Sequence, residues 1–158
     1  MKGITFIILC ISLHITAQIR PNINQYNKQG KKHGIWKGYH ENTQIKRYEG
    51  EFNHGTPVGR FTYYAMEGHV SGKVDFINDS ISSAQMFHDN GSIMAEGKFL
   101  NQTKSGKWYI YSRSGYLLNV LHYLNGALEG TQYSYYPKFD DYELSLIHIS
   151  EPTRQATI

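Results

Sequence analysis

Hydrophobic and polar side chains alternate in short runs along this chain, and the run Tyr48-Glu49-Gly50-Glu51-Phe52 shows the pattern most clearly. Tyr48, Gly50 and Phe52 point one way in an extended chain while Arg47, Glu49 and Glu51 point the other, the period-two signature of a half-buried strand. Gly55 and Pro57 then predict a turn, and Gly59, Phe61 and Tyr63 repeat the alternation on a return strand, with Arg60 and Thr62 opposite. The unit reads as a β-hairpin. Glycine leaves a gap on a sheet surface that an aromatic ring on a neighbouring strand can cover, which gives Gly-x-aromatic a physical purpose.

The design recurs. Five segments begin at Gly34, Gly59, Ser82, Gly106 and Gly130, at spacings of 25, 23, 24 and 24 residues. A period of this size signals a repeat array, whose units bury apolar surface only against neighbours. Two residues after each start stand Trp36, Phe61, Ala84, Trp108 and Gln132, a column that fades in the third and fifth copies. Five residues after each start stand Tyr39, Tyr64, Phe87, Tyr111 and Tyr135, all aromatic. Nine residues on come Thr43, Gly68, Gly91, Gly115 and Phe139, and Asn90-Gly91 is the strongest turn dipeptide among them. The expectation is an all-β protein of tandem hairpins in one elongated antiparallel sheet.

The aromatic column admits two readings. As structure, the five rings stack on successive units; as function, they face solvent and grip a peptide or glycan. Strict alternation places the fifth position on the face opposite the second unless a bulge intervenes. A thin sheet has few other atoms to bury, which favours packing.

Tyr48-Glu49-Gly50-Glu51-Phe52 with Gly55, Pro57, Gly59 and Phe61 resembles the MORN repeat, and more closely the bacterial variant found in exported proteins of the YwqK antitoxin type. The resemblance covers about residues 31–139, within an expected array of about five units over 31–143. It implies stacked strand pairs in one curled sheet, and a role in toxin neutralisation for some members.

The remaining features bound the function. Lys2, an apolar run from Ile4 to Ile15 and a small residue at Ala17 predict a signal peptide over residues 1–17, hence export to the periplasm, cell surface or medium. Cys10, the only cysteine, lies within it, so the mature chain carries no disulfide. Residues 18–30 are polar and read as a linker or loose N-terminal cap. Leu144 to Arg154 resembles the in-frame translation of a sequencing adapter, so 144–158 is expected to be a non-native tail on a truncated array, leaving an unpaired strand near Gly130 to Tyr136.

Between residues 18 and 143 there are 14 basic and 12 acidic side chains. Such near-neutrality, with Lys28, Lys31 and Lys32 the only basic cluster, argues against a nucleic-acid partner. His33, His40, His54, His69, His88 and His122 are scattered without metal-ligand spacing, and no nucleophile, base and orienting group converge in the sequence. No catalytic residue, metal or cofactor is expected. The leading expectation is a non-enzymatic exported module that binds a protein along its sheet. The alternatives are an antitoxin or immunity protein, and a fragment of a larger protein whose catalytic domain is missing. Membrane association ranks lower, since the mature chain offers no basic amphipathic helix.

Overall fold

The computed structural model describes residues 22–136 and 145–149. The expected signal peptide lies outside the described residues, as do the first residues of the linker and most of the tail. Every regular element among the described residues is a strand. They are β1 (Gln25–Tyr26), β2 (Lys32–Tyr39), β3 (Lys46–Asn53), β4 (Thr56–Tyr64), β5 (Val70–Phe76) and β6 (Ile81–Phe87), followed by β7 (Ile93–Leu100), β8 (Thr103–Tyr111), β9 (Leu117–Leu124), β10 (Ala127–Leu128), β11 (Gln132–Tyr136) and β12 (Ser145–Ile149). Each strand pairs antiparallel with its neighbours in chain order to give one open sheet, and β10 extends the β9 hairpin before β11. The all-β hairpin array expected from the pattern is what the chain forms.

Two kinds of connection alternate. In three hairpins the turn is two residues long: His54-Gly55 (φ 50° and 92°), Asn101-Gln102 (49° and 66°) and Asn125-Gly126 (50° and 82°), while Asn27–Lys31 and Ile77–Ile81 close the β1–β2 and β5–β6 hairpins more widely. Positive φ at both central residues defines the type I′ turn that matches strand twist. Between hairpins the loops are wider. Gly68, Gly91 and Gly115 donate to the carbonyls of Ala65, His88 and Ser112 at 2.9 Å, so Asn90-Gly91 closes a wider loop and not a tight hairpin. Pro57 does not turn the chain. It lies in β4 opposite Phe52, one pair past the turn, where antiparallel alternation requires no N–H toward β3.

One face of the sheet carries the core. Its central row crosses the strands through Trp36, Gly50, Phe61, Val74, Ala84, Gly97, Trp108, Leu121 and Gln132. Trp36, Phe61, Ala84, Trp108 and Gln132 are all buried, so the second column keeps its burial even where its aromatic character is lost. The reason is volume matching within each hairpin. Phe61 covers Gly50 and Trp108 covers Gly97, closely enough that a Cβ on Gly50 would stand 2.5 Å from the Phe61 ring. Where the first strand carries Val74 instead of glycine, the second offers only Ala84 opposite it. Leu121 likewise stands beside Gln132 by register.

A bulge lets the ring reach its glycine. Glu49 pairs with Thr62 and Glu51 with Val58, so Gly50 alone faces Gly59, Arg60 and Phe61. The same count recurs where Gly97 faces Gly106, Lys107 and Trp108. Gly59 and Gly106 (φ 63° and 68°) have nothing within 4 Å of a would-be Cβ; they supply backbone curvature, not a packing gap.

A second all-aromatic column lies on the first strands at Tyr26, Phe52, Phe76, Phe99 and Tyr123. These rings meet the second column mostly edge to face. Tyr26–Trp36, Phe52–Phe61, Phe61–Phe76 and Phe99–Trp108 have centroids 5.0, 5.1, 5.2 and 5.1 Å apart. Each such pair is worth about 0.5–1.5 kcal/mol beyond burial. Lys32 Nζ lies 4.5 Å over Trp36 and Lys104 Nζ 4.6 Å over Trp108, their stems screening the rings from water. Trp108 is 0% exposed although no second layer covers it.

Both ends of the array differ from expectation. β1 is a shortened first strand within the expected linker or cap, with Tyr26 where later copies have Phe52 and Phe99, and Asn24 just before it where they have Gly50 and Gly97. At the other end β11 is not bare, because β12 pairs with it from Gln132↔Ile149 to Tyr136↔Ser145. Ser145–Ile149 falls within the segment expected to be a non-native tail, and it pairs with the open ladder that β11 presents.

Candidate functional site

The face opposite the ring-packed core carries the aromatic column. A register shift occurs just before the fifth position in β2, β4, β6 and β8. The additional residues are Arg47, Ser71, Met94 and Leu118, all on the partner strands. Alternation along β2, β4, β6 and β8 is therefore intact, and Tyr39, Tyr64, Phe87 and Tyr111 emerge opposite Trp36, Phe61, Ala84 and Trp108. Tyr39 is 43% exposed and the other four rings of the column, Tyr135 included, are half-buried.

Mutual stacking was the favoured structural reading of the five, and the structure corrects it. Among the described residues no ring pair joins two of them; the inter-strand ring contacts belong to the other face. They sit two strands apart, about 9.6 Å at ordinary strand spacing, with a residue of the intervening strand between. Tyr64 Oη donates to Glu49 Oε1 at 3.1 Å, and Tyr111 Oη donates to Glu96 Oε1 at 2.9 Å. Phe87 has no hydroxyl, and the residue at the matching place is Lys73, whose Nζ lies 5.4 Å from the ring centroid. Tyrosine meets a carboxylate and phenylalanine meets a cation, so this contact too is matched in the three hairpins from β3 to β8.

These contacts perturb the ionisations. Lys46 Nζ donates to Glu49 Oε2 at 2.8 Å and to Tyr64 Oη at 3.2 Å. The lysine hydrogen bond holds the Glu49 carboxyl below its ordinary range against partial burial, and Lys46 is raised in turn. Burial, with the Glu96 carboxylate as acceptor, pushes the Tyr111 phenol up to about 12.

Inward from the aromatic column the same face is charged and holds a shallow cleft of about 690 Å³ across β4 to β8. Arg60 and Asp75 form a two-pronged ion pair across it, Nε to Oδ1 at 2.7 Å and Nη2 to Oδ2 at 2.9 Å, which lowers Asp75. Gln85 Nε2 donates to Glu96 Oε2 at 3.1 Å. Lys73, Lys98 and Lys107 line the cleft with no carboxylate within ion-pair distance among the described residues, and Ser83, Ser105 and Tyr109 add hydroxyls. The arrangement presents hydrogen-bonding groups and cations on a rigid sheet.

The histidines are more organised than their scatter in sequence suggests. His40 Nε2 reaches the Tyr64 carbonyl at 3.0 Å and His88 Nε2 the Tyr111 carbonyl at 3.1 Å, each tying one inter-hairpin loop to the next copy. His33 and His54 lie side by side with centroids 5.0 Å apart. Among the described residues no three His, Cys, Asp or Glu side chains gather as a metal-binding group. The sequence reading missed the Glu49, Lys73 and Glu96 partners of the aromatic column, although 15, 14 and 15 residues separate them from Tyr64, Phe87 and Tyr111. That near-constant offset was the available signal.

No family model, curated protein or solved structure matches this chain.

Proposed function

We propose that this chain is an exported, MORN-like repeat protein that works as a non-enzymatic interaction module, taking a protein partner on its charged face. The observation that carries the reading is the division of labour between the two aromatic systems. Packing is met on one face by Trp36, Phe61, Trp108 and their edge-to-face partners. Tyr39, Tyr64, Phe87, Tyr111 and Tyr135 stand on the other; carboxylates orient Tyr64 and Tyr111 and a lysine meets Phe87, beside a cleft with three lysines that have no carboxylate within ion-pair distance among the described residues. Half-exposed tyrosines on a rigid support, beside groups that form hydrogen bonds, suit protein recognition because they offer contact area at low entropic cost.

Selection of peptides from a displayed library on the immobilised protein tests the reading. Selected peptides should lose binding to a Tyr39→Ala/Lys98→Glu/Lys107→Glu variant and keep it for Gln29→Ala in the exposed N-terminal turn. Peptides indifferent to the triple variant would overturn the assignment of the face.

A further inference from the structure

Building on the protein-binding reading of the charged face, we propose that the depression over the Gly97 bulge binds a carboxylate side chain of the partner, so that the segment taken there is an acidic peptide. The repeat makes two places on this face equivalent. β4 pairs with β5 and β8 with β9 in the same register: Gly59 faces Phe76 as Gly106 faces Tyr123, and Phe61 faces Val74 as Trp108 faces Leu121. Between those pairs Arg60 faces Asp75, and Lys107 faces His122. The bulges match as well, with Glu51 opposite Val58 where Lys98 stands opposite Ser105.

The two places carry opposite complements of charge. Arg60 has the acids Glu51 and Asp75 on the strands to either side, and Asp75 accepts from its guanidinium with both oxygens, at 2.7 and 2.9 Å. That cation finds its anion within the sheet. Lys107 holds the same position with Lys98 and His122 on the strands to either side, so the cation is kept while both acids are replaced by basic residues. Neither Lys98 nor Lys107 has a carboxylate within ion-pair distance among the described residues. Glu96 lines the same cleft, but its oxygens already accept from Tyr111 Oη at 2.9 Å and Gln85 Nε2 at 3.1 Å.

What fits the second place follows from its lining. The depression of about 390 Å³ over Gly50 is walled by Glu49, Glu51, Val58, Arg60 and Thr62; the matching part of the larger cleft has Glu96, Lys98, Ser105, Lys107 and Tyr109. A serine hydroxyl stands where the first place has valine, beside two ammonium groups, and a carboxylate can accept from all three through its two oxygens. The cleft runs from β4 to β8, roughly 19 Å at ordinary strand spacing, or about six residues of extended chain. That length suits a peptide better than a small carboxylate. Asp75 and Glu96 stand in the same cleft and repel a continuous phosphodiester chain, whereas a peptide can set neutral residues beside them.

Anisotropy of a fluorescein-labelled octapeptide of alternating serine and glutamate, titrated with the full chain at low ionic strength, should show saturable binding that the glutamine counterpart lacks. Lys98→Glu/Lys107→Arg/His122→Asp writes the Glu51, Arg60 and Asp75 arrangement into the second place. It supplies the carboxylates from within the sheet and should weaken the glutamate peptide about tenfold or more. Lys98→Gln/Lys107→Gln, which only removes charge from two exposed side chains and requires no new pairing, should weaken it as well. Lys28→Glu/Lys31→Glu, in the exposed N-terminal turn, and Lys107→Arg alone should bind as the wild type does. No binding of the glutamate peptide, equal affinity for the glutamine peptide, or binding that both cleft variants leave unchanged overturns the proposal. A single-stranded thymidine octanucleotide that binds as tightly as the glutamate peptide overturns the choice of partner. In the displayed library, peptides that depend on Tyr39, Lys98 and Lys107 but are not enriched in aspartate and glutamate overturn this inference and leave the protein-binding reading standing; a library with no peptide dependent on that face removes both.

Discussion

Gly97 and Trp108 offer the most direct test of volume matching inside a hairpin. A Cβ added at position 97 would run into the indole, which cannot yield: Trp108 is fully buried, Phe99 stands against it at 5.1 Å, and its Nε1 donates to the Lys98 carbonyl at 3.1 Å. Overpacking of a fixed ring costs about 1–3 kcal/mol, and Gly97→Val belongs at or above the upper end. Trp108→Ala empties the site and costs about 3–5 kcal/mol. The double variant Gly97→Val/Trp108→Ala rebuilds the Val74 and Ala84 pair that β5 and β6 already use. It should be more stable than the sum of the single losses implies by at least about 2 kcal/mol, well outside the 0.3–0.5 kcal/mol within which independent sites add. Urea unfolding followed by far-ultraviolet circular dichroism, which does not depend on the removed tryptophan, measures all four corners of the cycle. Additivity would mean that valine at 97 and the indole do not compete for one space, and the account of the core would fail.

Three further outcomes follow from the geometry. Tyr111, with its phenol at about 12, should ionise well above the ordinary phenol value in an absorbance titration at alkaline pH. An unfolded tyrosine ionises near 10, so the stabilisation is complete below that pH and disappears as pH rises toward 12. Glu96→Gln should bring the titration only part of the way back, because burial is the larger cause. Glu49 has the opposite sign. Its carboxyl is lowered chiefly by Lys46, so its contribution is present at neutral pH and is lost as pH falls from the ordinary carboxylate value through the depressed one. Glu49→Gln should therefore flatten the fall of the urea midpoint between pH 5 and the acid limit, as a pH series of denaturation curves would register. Gln102 holds φ 66° in a type I′ turn, so Gln102→Gly should raise stability by about 1 kcal/mol, read as a higher melting temperature.

Much of the array was legible because each start residue leads into a strand whose alternation is never broken. Counting forward from Gly34, Gly59, Ser82, Gly106 and Gly130 therefore placed the buried and exposed columns on opposite faces correctly. Counting backward was harder, since turns of different length separate Tyr26, Phe52, Phe76, Phe99 and Tyr123 from those starts. Asn24 and Tyr26 sat within a polar segment and lacked the glycine that marks later copies, so the first strand read as linker. Gly-x-aromatic suggests that Gly59 and Gly106 make room for rings, a task that falls to Gly50 and Gly97. Positive φ cannot be read from a glycine in a β pattern, which looks the same whether it is a packing gap or a bulge. Pro57 misled for a related reason, as only the pairing phase shows that its missing N–H is harmless.

Matching of large with small inside each hairpin restricts how such a gene can lengthen or shorten. A crossover at Ala65 to His69, His88 to Ser92 or Ser112 to Tyr116 transfers a pair of strands whose volumes already agree, and the neighbours need only accept another ladder. One made at His54-Gly55 or Asn125-Gly126 would join Gly50 to Gln132, or Leu121 to Phe61, leaving a hole or a collision at the centre. Ancestral duplications that produced functional chains are therefore expected to break at the wide loops, and any engineered change in copy number should be cut there as well.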